Sequence, residues 1–146
     1  MTVAERAQPA APRETMSDAA FLTALETATL DLSDFTHRAH VRAAFLILSA
    51  EPTFGRALDR MERTIRAFAA ANGKDGLYHA TVTVAYMAAI NVRRAQHPGL
   101  GWPDFAVRNP ELFERTFLQR YYPAGFLAQP DVRASFFLPP VQPKAA

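Results

Sequence analysis

The sequence predicts an all-α protein, one domain of about five helices around a buried central helix, with a proline- and aromatic-rich C-terminal segment packed across it. Three observations carry this. Phe54, Leu58, Met61, Ile65 and Phe68 recur at steps of three and four, the period of one helix face. The stretch from Gly76 to Val92 has no charged residue and is too long for one strand. The breaks between such stretches carry helix caps, such as Ser17, Asp31-Leu32-Ser33-Asp34 and Asn72-Gly73.

Taken in order, residues 1–16 have no apolar period and read as a disordered tail, with a single helical domain over 17–142. Ser17 caps a first helix, about 18–30, with Phe21, Leu22, Leu25 and Ala28 inward. Asp31 and Asp34 cap a second, about 35–50, whose stripe is Val41, Ala44, Ile47 and Leu48. Glu51-Pro52-Thr53 opens the third, about 53–71. Arg56, Asp59, Arg60, Glu62, Arg63 and Arg66 fill its other faces. The uncharged fourth helix, about 77–95, is apolar nearly all round and is expected to be central and buried on most sides.

His97 to Pro103 is a loop, and Asp104 to Arg108 a short turn. Asn109-Pro110 opens a fifth helix, about 110–121, with Leu112, Phe113, Phe117 and Leu118 inward. Beyond Tyr121, Phe126, Leu127, Phe136, Phe137 and Leu138 predict a segment lying across the bundle, with a short helix over 131–136.

Composition narrows the function. The chain has 146 residues, 49% hydrophobic and 21% charged, a soluble globular balance sufficient for one core. It has no cysteine, so disulfides, thiolate zinc sites and cysteine nucleophiles are excluded. The formal charge is only +2 and the signs are interspersed, so no nucleic-acid footprint is expected. No apolar run suits a membrane span, and residues 1–16 do not resemble a signal peptide. A cytoplasmic protein is expected. Phosphate loops, GxSxG and HExxH are all missing.

The remaining candidates for chemistry are histidines. His37 and His40 extend the apolar stripe of the second helix and are predicted to face inward. At this spacing the two side chains lie about 60° apart around the axis, so both rings can reach one ion. The same i, i+3 spacing serves metal sites in carboxylate bundles. With His79 from the fourth helix, a three-histidine face would suit Zn²⁺ or Fe²⁺. Glu26 is the candidate fourth ligand or base. Tyr78, Thr81 and Thr83 would orient ligands or contact substrate, and Arg42 would bind an anionic substrate. The expected function is therefore a small enzyme acting on a small organic molecule, with a divalent metal as possible cofactor. A non-catalytic ligand-binding or protein-interaction domain is the alternative, its histidines forming a buried structural network. The expected partner is a small molecule, with a homo-oligomer possible.

Phe35-Thr-His37-Arg-Ala-His40-Val-Arg42 and Tyr78-His79-Ala80-Thr81-Val82-Thr83 resemble motifs of small bacterial helical proteins, Phe-x-His-x-x-His-Leu-Arg and Tyr-His-Glu-Thr-x-Thr. Asn109-Pro110-Glu111-Leu112, Tyr121-Tyr122 and Arg133 before a proline-rich close are similar too. The resemblance spans most of 20–142. It implies a single helical domain and directs attention to His37, His40 and His79; it supplies no activity. Ala80 stands where that pattern has Glu. A metal or base role for that Glu would be lost here.

Overall fold

Each of the four longer helices begins at a polar residue whose side chain closes its first turn. Ser17 accepts from the amide of Ala20, Thr36 from Ala39, Thr53 from Arg56 and His79 from Val82. Such caps satisfy backbone N–H groups that have no partner within the helix. The computed structural model describes residues 14–141. These form α1 (Asp18–Glu26), α2 (His37–Ala50), α3 (Phe54–Ala71), α4 (Ala80–Gln96), α5 (Trp102–Arg108) and α6 (Pro130–Ala134). Short 3₁₀ turns link them, and no strand occurs among the described residues.

The packing centres on α2, which lies against both α3 and α4 and also meets α1, α5 and the Pro110–Phe113 turn. One apolar core runs through the bundle, with Leu25, Ile47, Phe68, Ile90, Phe105 and Leu112 fully buried. The all-α, single-domain expectation is met.

Two expected helices need correction. α1 stops at Glu26, short of residue 30, because Ala28 takes a left-handed conformation with φ 59°. The amides of Thr29 and Leu30 then both reach back to the Ala24 carbonyl, ending the helix. The fifth helix expected over 110–121 is two 3₁₀ turns, Pro110–Phe113 and Phe117–Arg120, and the α-helix lies earlier, at Trp102–Arg108. The extended backbone of Glu114 (ψ 137°) separates the two turns, and Pro103 occupies a first-turn position that favours the earlier start.

α4 is less enclosed than its composition suggests. Ala80, Thr81, Met87 and Ile90 are buried, but Val92 is 56% exposed. α2, α3 and α6 cover part of its surface, and its apolar residues continue beyond that cover.

The C-terminal segment does cross the bundle, but it is held mainly by its backbone. Thr81 Oγ1 donates to Ser135 O (3.0 Å) and accepts from Phe137 N (2.9 Å), and the Tyr122 hydroxyl donates to Phe137 O (2.7 Å). Val132 is the buried anchor, whereas Phe136, Phe137 and Leu138 are exposed.

The expected tail over 1–16 falls largely outside the described residues. Glu14 within it is ordered against the bundle: its carboxylate pairs with Arg38 and accepts from Trp102 Nε1. No described helix is long and apolar enough to cross a membrane.

Candidate functional site

α2, α3 and α4 enclose a cavity of about 290 Å³. Helical periodicity places its lining. Successive turns of α2 contribute His37, then His40 and Val41, then Ala44; α3 contributes Met61 and Ile65. From α4 come Val82 and Thr83, then Tyr86 and Met87, then Ile90. Its chemistry is graded. Val41, Ala44, Met61, Ile65, Met87 and Ile90 are all buried and form an apolar interior. His37 is exposed, while His40, Thr83 and Tyr86 are half-buried, so the polar groups stand toward the mouth. No Asp, Glu, Lys or Arg lines it.

The two cavity histidines are fixed by backbone carbonyls. His37 Nε2–H donates to Leu112 O (2.9 Å), tying the start of α2 to the Pro110–Phe113 turn. Its ring meets Tyr86 edge-on at 5.2 Å, and Tyr86 stacks at 5.5 Å on Phe117, which is buried. His40 Nδ1 lies 2.9 Å from Thr36 O, and a carbonyl only accepts, so Nδ1 carries the hydrogen. The His40 ring stacks on Phe35 with centroids 3.6 Å apart. Burial lowers the His40 pKa to about 4, with the neighbouring His37 contributing, so the ring is neutral near pH 7. In that tautomer Nε2 presents a lone pair, and no described residue bonds to it.

The other predicted site residues are occupied elsewhere. His79 caps α4: Nδ1 accepts from Val82 N (3.2 Å) and Nε2–H donates to Leu127 O (2.7 Å), which uses both ring nitrogens. Glu26 accepts two hydrogen bonds from Arg60 (2.6 and 2.8 Å) and another from Thr64, joining α1 to α3. The Arg60 hydrogen bonds hold the Glu26 carboxyl below its usual range. Arg42 is 4% exposed, bonds Asp18 and Met16 O, and lies over the Phe21 ring at 4.6 Å. Thr81 is the clamp on the C-terminal segment. Tyr78 is buried beneath the Arg66 guanidinium (4.3 Å), and burial raises its hydroxyl pKa.

Of the eight residues, the structure therefore brings His37, His40 and Thr83 to one cavity, and Tyr78 is not in its lining. It does not bring His79, Glu26, Thr81 or Arg42 there. Among the described residues no group of three or more His, Asp or Glu side chains is arranged to hold a metal ion. Ala80 also lies off the cavity lining, so its departure from the resembled motif does not alter this space.

Sequence reasoning missed Tyr86, Met61 and Met87 as site residues. Tyr86 was legible in principle, because it lies three residues after Thr83 on the same helix face. No family model matches the chain, and the comparisons with curated proteins and with solved structures found no match.

Proposed function

We propose that this protein is a small-molecule-binding domain that takes a predominantly apolar ligand between α2, α3 and α4. The single observation behind this is the graded cavity: an apolar interior, four polar side chains toward the mouth, and no charged residue in the lining. Small-ligand sites have this character, apolar walls with a few placed polar groups, and about 300 Å³ is the lower end of their range. The metal-dependent enzyme reading needs His79 and Glu26 beside His37 and His40, and both are held elsewhere by hydrogen bonds. General base catalysis at neutral pH also fits His40 poorly, because a group with a pKa near 4 is a weak base there.

The test is ligand-observed and protein-observed NMR with uncharged aromatic probes, naphthalene and 2-methoxynaphthalene. Saturable binding with shifts at Ala44, Ile65 and Met87 is expected. Ala44→Phe fills the cavity from α2, and Val82→Phe does so from α4. Both are expected to remove binding, so one misfolded variant does not void the test. Failure of both probes to bind the parent protein overturns the proposal, as does binding that survives in both folded variants.

A further inference from the structure

We infer that the ligand is an uncharged molecule, about the size of two fused rings, that presents a hydroxyl or other hydrogen-bond donor to His40 Nε2. This rests on the ligand-binding reading above and specifies its substrate class.

Size comes first. An engineered apolar cavity of about 150 Å³ takes benzene, and the space here is roughly twice that. The buried interior around Met61, Ile65, Met87 and Ile90 offers no hydrogen-bonding side chain, so the inner part of the ligand must be hydrocarbon.

The polarity of the outer part follows from the tautomer of His40. Thr36 O accepts from His40 Nδ1, which leaves Nε2 as an acceptor. No described side-chain nitrogen or oxygen is both sealed from solvent and without a partner. His40 Nε2, which has no partner among the described residues, therefore touches solvent-accessible space, and His40 is one of the residues lining the cavity. An acceptor lone pair selects a donor. It disfavours a carboxylate, whose oxygens only accept, and no lining Arg or Lys compensates such a charge. It gives an ammonium no counter-charge either, because no lining Asp or Glu is present. Thr83 and Tyr86 carry hydroxyls that either donate or accept, so they tolerate the ligand group without choosing its sense. His40 makes that choice, and the His37 tautomer that donates from Nε2 to Leu112 O leaves an acceptor of the same sense at Nδ1.

The experiment compares three probes of one skeleton by titration calorimetry and NMR: 2-naphthol, 2-methoxynaphthalene and 2-naphthoate. A neutral hydrogen bond contributes about 1 kcal/mol, so 2-naphthol is expected to bind about fivefold to tenfold tighter than 2-methoxynaphthalene. 2-Naphthoate is expected to bind more weakly than both. The His40 Nε2 resonance should move with 2-naphthol and stay with the methyl ether. His40→Phe keeps a ring against Phe35, and Thr36 O keeps the backbone bond from the His40 position. In that variant the two neutral probes should bind within twofold of each other.

Equal binding of the neutral probes to the parent protein overturns the inference and leaves ligand binding intact. So does a preference for 2-naphthol that persists in His40→Phe, or tighter binding of 2-naphthoate. If His40→Phe fails to fold, the Nε2 resonance of the parent decides alone: no shift with 2-naphthol overturns the inference. Absence of binding by every probe instead sinks the ligand-binding reading itself.

Discussion

The imidazole of His40 lies nearly parallel to the phenyl ring of Phe35, with centroids 3.6 Å apart and planes 19° from each other. Phe35 precedes the Thr36 cap, and His40 follows it by one turn, so the contact folds the entry of α2 back on its first turn. One face of the ring is thereby covered, and the Thr36 carbonyl takes its Nδ1 hydrogen. Burial keeps the ring neutral near pH 7, against the Thr36 carbonyl, whose bond favours the protonated form.

Stability should depend on pH through His40. Its folded pKa of about 4 lies below the ordinary histidine value of 6.5, so the unfolded chain binds a proton first as pH falls. The contribution is complete above about pH 6.5 and is lost progressively as pH falls toward 4. At about 1.4 kcal/mol per pH unit, the loss approaches 3 kcal/mol. Urea unfolding at pH 7.0 and at about pH 4.5, compared with His40→Phe, isolates it: the variant should show a distinctly smaller fall.

His79→Ala should destabilise the protein without touching the cavity. The variant loses the cap on Val82 N and the bond to Leu127 O, a cost of about 1–3 kcal/mol. His79→Asn should recover part of it by restoring an oxygen at the cap. Thermal melts read the stability, and naphthalene affinity should stay within twofold. A variant that folds but no longer binds would count against the structural role assigned to His79.

Glu26→Gln should weaken the junction of α1 and α3. The pair is about one quarter exposed, so solvent screens it, and a loss of about 1 kcal/mol is expected. The penalty should shrink in high salt. Metal content, measured by elemental analysis before and after chelation, should not differ between Glu26→Gln and the parent protein.

Ala28→Gly should stabilise the fold. Ala28 sits at φ 59°, where a Cβ is strained and glycine is not. Offset by glycine's larger unfolded-state entropy, the net gain is about 0.5–1 kcal/mol. Guanidinium unfolding checks the sign, and a loss would show that the left-handed turn is not retained in solution.

Thr81→Val should free the C-terminal segment selectively. The variant keeps its volume and removes the bonds to Ser135 O and Phe137 N. Hydrogen exchange should accelerate at Phe137 while the amides of α3 stay protected.

The sequence by itself determined the four longer helices and the starts of two of them, at Ser17 and Thr53. The step of three and four in 54–68 gave α3 to within a residue, because a long amphipathic pattern admits one period. Ser17 was readable as a cap because its side chain acts on its own first turn. That His37 and His40 share the side of α2 carrying Val41 and Ala44 was readable from the same stripe, but His37 at its end is exposed. Tertiary structure alone decided what those faces meet. His79 carries a motif that suggests a ligand, yet its nitrogens are taken by Val82 N and by Leu127 O, forty-eight residues away. Glu26 could have faced a cavity or a cation, and Arg60 on α3 settled it. The cavity needed three helices to come together, each offering only part of the lining. Local interactions are written in neighbouring residues, whereas the partner of a buried polar group depends on how distant elements pack. The same chain therefore announces its helices and conceals the site between them.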